Sequence, residues 1–274
     1  VTTPKVNTIR RGGSRFYVQP ETGDKVPGVT SVLGMLPKSF LKFWAAKLVA
    51  EEAVAGAQDG SLLALAQRNP EGAVDYLKRA PDRMTRKAAD VGTYAHDLFE
   101  RLSRGEAVGP VHDDLEPYVR HFSEFLDVVQ PEYLHMEETV WSDAHRYAGS
   151  FDAFAVIQGE KVWIDNKTTR SGVHEEVGLQ LAAYRYAEHI LRADGSRVPM
   201  PKADGGAVLH IRPEGWNLVP VRCDEAMFDY FLHLREVFEW ERTVKSTVVG
   251  KAVFFGPGPK ATAGRKRTTA KARA

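Results

Sequence analysis

Two acidic residues and a lysine carry the most distinctive chemistry in this sequence: Asp152, Asp165 and Lys167, set in two stretches that alternate apolar and polar side chains. If Gln158 and Gly159 form a two-residue turn, Ile157 pairs with Glu160 and Asp152 falls directly opposite Asp165. Their Cβ atoms then stand about 4.5–5.5 Å apart. Period-two alternation puts Lys167 on the face of Asp165, and moving the loop to Gly159–Glu160 leaves the two faces unmixed. Phe154, Val156 and Trp163 share that face, so the carboxylates repel each other in apolar surroundings unless a cation or a shared proton compensates them. A hard divalent metal meets that need, because Mg²⁺ takes oxygen ligands and is commonly held by one or two carboxylates with substrate phosphate. Mn²⁺ accepts the same donors. Lys167 would then orient water or stabilise charge building on a phosphoryl group. The plain alternative is a solvated hairpin with an ordinary Asp/Lys pair, since D-x-K alone is a common spacing.

Further polar residues flank this pair in order. Gly92, Thr93, Tyr94, Ala95 and His96 come before it, Gly149, Ser150 and Phe151 lead into Asp152, and Ile164 to Thr169 frame Asp165 and Lys167. Gln180 and Tyr184 follow at i and i+4, one above the other on a helix face. Read singly, His96 is an ordinary helical histidine and Tyr184 a satisfied core tyrosine. Together, over residues 92–190, the four motifs resemble the PD-(D/E)XK nuclease superfamily in its RecB-like exonuclease branch, of the compact phage type. The resemblance implies an α/β fold with a restriction-endonuclease-like core. It implies His96, Asp152, Asp165 and the backbone carbonyl of Asn166 as ligands of Mg²⁺ or Mn²⁺, with Lys167 as the catalytic lysine. Gln180 and Tyr184 would reach a phosphate or hold the floor of the site. An acidic residue on the preceding strand belongs to the same pattern, and spacing to Val140 favours Glu137 over Glu138, since neighbours in a strand face opposite ways. Two departures bound the reading. Cys223 stands alone, so an iron–sulfur cluster lacks its ligands. No G-x-x-x-x-G-K-[ST] sequence is present, so no ATP-driven motor of that type is expected.

These residues need elements to hold them. Helical patterning covers 39–58, 71–79, 82–104 and 113–130, punctuated by Pro37, Pro70, Pro81 and Gly105, with Pro117 early in the last helix. Thr30 and Ser31 are expected N-caps, after short β-like pieces and turn residues at Pro20, Gly23, Pro27 and Gly28. From Pro131 the texture changes. Residues 132–142, 146–157 and 160–168 alternate and are rich in β-branched and aromatic side chains, which predicts three successive strands. A helix over 174–193, strands over 207–212 and 216–222, and a helix from Asp224 to about Val248 complete the order. That succession predicts one mixed sheet flanked by helices, plus a helical N-terminal elaboration. His96 then lies on the first core helix, where the small Ala89 and Gly92 let the helix approach the sheet.

The chain of 274 residues is 43% hydrophobic and 27% charged, which excludes a disordered or collagen-like polymer and permits a sizeable core. Its apolar runs fall far short of the roughly 20 residues that span a bilayer, and no signal-peptide pattern opens it. A reducing cytoplasm, including a host cytoplasm for a phage protein, is the expected compartment, with no membrane partner. From Gly256 to Ala274 there are six basic residues and no acidic one; the whole chain carries +1, so the remainder carries −5. The segments expected are therefore 1–81, a β-like piece and helical elaboration; 82–255, the nuclease core; and 256–274, a disordered basic tail. Lys260, Arg265, Lys266 and Arg267 in that tail suit phosphate contact. Trp44 and Tyr17 are expected to stack on bases while Lys42 and Lys47 meet phosphates, although Trp44 also fits a core position beside Leu41 and Leu48.

The expected function is a divalent-metal-dependent deoxyribonuclease, an exonuclease acting on DNA with a free end in recombination, repair or replication, with a helicase or recombinase as partner. The rivals are a structure-specific endonuclease on the same core and a non-catalytic protein that binds DNA ends through its basic tail and helical half.

Overall fold

A computed structural model of the chain describes residues 5–254, without the side chain of Lys87. The basic tail at 256–274, with Lys260, Arg265, Lys266 and Arg267, lies outside the described residues. An antiparallel sheet of β1 (Thr8–Arg11), β2 (Ser14–Val18) and β3 (Lys25–Pro27) leads into the short helix α1 (Val29–Leu33). Five helices follow: α2 (Phe40–Gln58), α3 (Ser61–Arg68), α4 (Pro70–Lys78), α5 (Ala80–Ser103) and α6 (Glu116–Val129). Then come β4 (Glu132–Met136), β5 (Thr139–Ser142), β6 (Tyr147–Ser150), β7 (Ala153–Ile157) and β8 (Glu160–Lys167). Helix α7 (Glu176–Arg185), β9 (His189–Leu191), β10 (Arg197–Pro199), β11 (Gly205–Arg212), β12 (Gly215–Val221) and α8 (Glu225–Glu239) complete the chain's long elements.

The central sheet has the strand order β12-β11-β8-β7-β4, and β8 and β11 run parallel while its other neighbours are antiparallel. It is a mixed sheet flanked by helices, the α/β architecture expected. Gln158 and Gly159 both adopt positive φ, 52° and 88°, as a tight hairpin turn of matching twist requires. The register from Ile157↔Glu160 to Ala153↔Ile164 is the one reckoned from that turn. Alternation along β8 then divides the core. Trp163 joins Phe154, Phe151, Leu181 of α7 and Phe231 of α8 on one face. Val162 and Ile164 join Phe99 of α5 with Phe122 and Phe125 of α6 on the other. Each fully buried aromatic side chain contributes about 1.5–3 kcal/mol relative to exposure.

Several expected elements are corrected. The stretches 132–142 and 146–157 each predict one strand, but both break, and their halves enter different sheets. Strands β5 and β6 pair with each other, and β5 also pairs with β9, in a second sheet of order β10-β9-β5-β6. The polar residues at the breaks, Glu137 and Glu138 in one and Asp152 in the other, read equally well as outward positions of a continuous strand, which hides the change of sheet. The helix expected over 174–193 runs only from Glu176 to Arg185; α7 is buried on nearly every side, so the sequence carries no periodic signal of where it ends. Helix α3 was not expected at all, and α1 is capped by Gly28 rather than Thr30 or Ser31.

The described residues divide into two compact units, one up to Phe238 and one from Glu239 onward. No seam falls near residue 81, because Val29 and Val32 of α1 belong to the main core and Tyr17 of β2 packs with Trp141 and Ala148. In the second unit, the helix expected to reach Val248 gives way to a π-helical turn, Trp240–Val244, and a 3-10 turn, Lys245–Thr247. Among the described residues no helix is long and apolar enough to cross a membrane.

Candidate metal centre

Asp152 sits one residue beyond the end of the β7–β8 ladder. Its carboxylate turns to β8, where Oδ2 accepts the Asn166 N–H at 2.6 Å. Glu137 lies at the matching break between β4 and β5, with φ at 53° in the left-handed region. Its N–H donates to the Asp152 carbonyl at 3.0 Å, and the Phe151 N–H donates to the Glu138 carbonyl at 3.1 Å. The two breaks therefore clasp each other where the strands change sheets. Glu137 is 6% exposed, whereas Glu138 turns away to His135 at 2.7 Å and Arg192 at 3.2 Å. The expected choice of Glu137 agrees with this placement, but a backbone bend selects it, and not strand alternation.

Ligand atoms of His96, Glu137 and Asp152 all lie within 4.8 Å of one another. His96 Nδ1 approaches Asp152 Oδ1 at 3.5 Å without hydrogen-bond geometry, and that buried nitrogen has no hydrogen-bond partner. An orphaned imidazole nitrogen between two buried carboxylates is costly as it stands and is answered by a cation. These donors fit a divalent metal. The ligand set differs from the one expected, because Asp165 stands outside the group. Its Oδ1 accepts from Gln180 Nε2 at 2.8 Å, and its Oδ2 lies 2.6 Å from Lys167 Nζ. The latter approach is oblique to a hydrogen bond, so it is chiefly a coulombic pairing. The backbone of Asn166, expected to offer its carbonyl to the metal, engages Asp152 through its N–H.

The electrostatics follow from burial and from these pairings. Burial pushes the Asp165 carboxyl above the usual carboxylate range; Lys167 opposes that rise and Asp152 adds to it. Burial works against the Lys167 ammonium, but Asp165 and Asp152 outweigh it and hold that group above the ordinary lysine value. Lys167 is therefore a cation at neutral pH, able to donate to an anionic oxygen and not to accept a proton. Burial also keeps Tyr184 a neutral phenol, reinforced by Tyr17, Asp165 and Asp152.

Gln180 and Tyr184 line the cavity of the site and hold its floor, with their polar ends engaged by neighbouring groups. Gln180 Nε2 donates to Asp165 and, at 3.0 Å, to Tyr184 Oη, which in turn donates to the Ser150 carbonyl at 2.9 Å. Gly149 permits this chain: a Cβ there would meet Tyr184 Cε1 at 2.6 Å. Gly92 and Ala89 line a cavity of about 400 Å³ together with His96, Asp152, Asp165 and Lys167. Their small size leaves that space open, and Ala95 and Phe99 are what pack α5 into the core.

The other expected contact residues divide. Tyr17 cannot stack on bases, being 3% exposed with its hydroxyl donating to Ser150 Oγ at 3.1 Å and accepting the Ser150 N–H at 2.9 Å. Trp44 is half-buried, and Lys47 pairs with Glu51 at 3.5 Å one helical turn on. Two residues near the site had no role expected of them from the sequence. Ser150 joins Tyr17, Thr139 and Tyr184, and His210 Nε2 lies 2.7 Å from the Thr169 carbonyl, tying down the loop after Lys167. For His210 the signal was present in the parallel register His210↔Lys167, which needs the partner strand to be known.

No protein-family model matches the chain, and no curated protein matches it. Among solved structures, it is similar to one described as "Crystal structure of SSO0001", with a TM-score of 0.34 and 14% identity over 75% of this chain and 88% of that chain.

Proposed function

We propose that the protein is a divalent-metal-dependent deoxyribonuclease on a restriction-endonuclease-like core, acting as an exonuclease on DNA with a free end. The observation that carries this reading is the group of His96, Glu137 and Asp152, whose His96 and Asp152 line one cavity together with the Asp165–Lys167 pair. Mg²⁺ or Mn²⁺ held by those three side chains would supply Lewis-acid polarisation of a phosphodiester. Lys167, charged and 2.6 Å from Asp165, exchanges that carboxylate for a phosphate oxygen and stabilises the charge that develops there. Gln180 keeps Asp165 in place during the exchange, and Tyr184 keeps Gln180 in place. Asp152 serves two ends, since its Oδ2 is fixed by the Asn166 N–H. A helicase or recombinase acting as partner would supply the DNA ends in recombination, repair or replication.

Digestion of linear DNA labelled at either end tests this, with wild type beside Lys167→Ala in Mg²⁺, Mn²⁺ and chelator. The expected result is metal-dependent shortening from one end with circular single strands intact. Lys167→Ala should bind DNA as wild type does and cut about 10²–10³-fold more slowly. Cutting of circles would make it an endonuclease. Binding without cutting in either metal would make it a non-catalytic end-binding protein.

A further inference from the structure

A second cavity of about 310 Å³ adjoins the first, and both are lined by Thr30, Lys167, Thr169 and Gln180. On the far side of Lys167 its wall includes Lys38 and His174. Phe40 of α2 lies parallel to the His174 ring, with centroids 6.2 Å apart and an interplanar angle of 8°. Phe43 stands three residues along the same helix face, and Lys42 Nζ lies 4.8 Å from its ring centroid. Phe40 is 54% exposed and Phe43 69% exposed. Lys38 is partly neutralised by Glu176 at 3.2 Å, whereas Lys42 has no carboxylate partner among the described residues. Two aromatic rings and a cation thus stand exposed on α2, next to His174 in the wall of the cavity that reaches Lys167.

We infer that Phe40 and Phe43 form a stacking platform for the bases of single-stranded DNA, with Lys42 and Lys38 meeting its phosphates and the second cavity leading the strand to Lys167. The inference deepens the nuclease reading and rests on it for the chemistry at Lys167; the binding itself is separate. A duplex hides its base faces, while every unpaired base has a face to lay on a ring, so such a platform selects strandedness and not sequence. The platform replaces Trp44 and Lys47 as the contact residues of α2, because the helix turns Phe40 and Phe43 outward and leaves Trp44 half-buried.

Fluorescence anisotropy of the full chain in chelator, where no cleavage occurs, tests the platform with labelled oligothymidylate, an abasic strand of equal length, and a duplex. Phe40→Ala/Phe43→Ala should weaken oligothymidylate binding by about tenfold for each ring lost. The abasic strand and the duplex should bind wild type and variant alike. Phe40→Trp/Phe43→Trp should restore the affinity, and Phe40→Leu/Phe43→Leu, which keeps apolar area without rings, should not. Equal losses on all three probes, no loss on oligothymidylate, or full affinity in the leucine variant would overturn the inference. So would unchanged DNA binding with a loss of self-association by light scattering, which would make the face a protein-docking surface. If wild type with Mn²⁺ cuts nothing yet the rings govern oligothymidylate binding, the nuclease reading fails and the platform stands.

Discussion

Around the central sheet, Phe154, Trp163, Phe125 and Phe231 are fully buried, and the sheet's end carries Asp152, Asp165 and Glu137 within that interior. In α2 and α3 no residue is buried, and in α4 only Ala73 is. The helices nevertheless hold ordered ion pairs such as Arg83 with Glu52 at 2.9 Å. The sheet region spends apolar burial to keep carboxylates out of water, so each of them must find a donor or a cation. The helical region buries so little that its side chains remain available to whatever it meets. Stability belongs to the first region and contact to the second.

The contrast breaks most visibly in stability. Phe154→Ala, in the fully buried face of β7, should lower the unfolding free energy by about 3–5 kcal/mol in urea titration. Next in size, Mn²⁺ at about a hundred times its dissociation constant should stabilise the chain by about 2.7 kcal/mol. That gain should vanish in His96→Ala and persist in Phe43→Ala; a gain unaffected by His96→Ala would place the ion elsewhere. Gly149→Ala should cost about 1–3 kcal/mol, because its Cβ would press on Tyr184 and Val29, a crowding that Tyr184→Phe would not relieve.

Acid sharpens the comparison from the second sheet. Burial, helped by Arg197, holds the His189 imidazole below its ordinary value of 6.5. The unfolded chain therefore takes up a proton that the folded chain refuses. The stability contributed by neutral His189 is full above 6.5 and is lost as the pH falls from there to the lower folded value. Urea titrations at about pH 7.5 and 5 should show that loss in wild type and a smaller one in His189→Gln. The smallest effect belongs to the helices: Val54→Ala and Val74→Ala, at exposed positions, should stay within about 0.5 kcal/mol of wild type. Losses there as large as that of Phe154→Ala would erase the distinction.

The hairpin was legible in advance because its turn, its register and its faces are all local. Gln158 and Gly159 set the pairing, and everything from Ile157 to Lys167 follows by counting. Helices α2, α4, α5 and α6 were legible from proline punctuation and spacing. What lay beyond reach were features set by partners distant in the chain. The break at Glu137 depends on Asp152 and Phe151 meeting it from another strand. The exclusion of Asp165 from the metal group depends on Gln180 and Lys167 occupying its two oxygens. Likewise the outward face of α2 is decided by what the helix packs against, and a stretch such as Phe40 to Trp44, apolar but for Lys42, carries no such mark.

Glu137 holds a left-handed backbone at φ 53°, a conformation that costs a residue with a Cβ about 1–2 kcal/mol and costs glycine almost nothing. Anyone selecting sturdier versions of this protein by heat survival alone would therefore be drawn to Glu137→Gly, and would discard a carboxylate of the metal group while watching the melting temperature climb. Screens on this scaffold need a metal readout beside the thermal one.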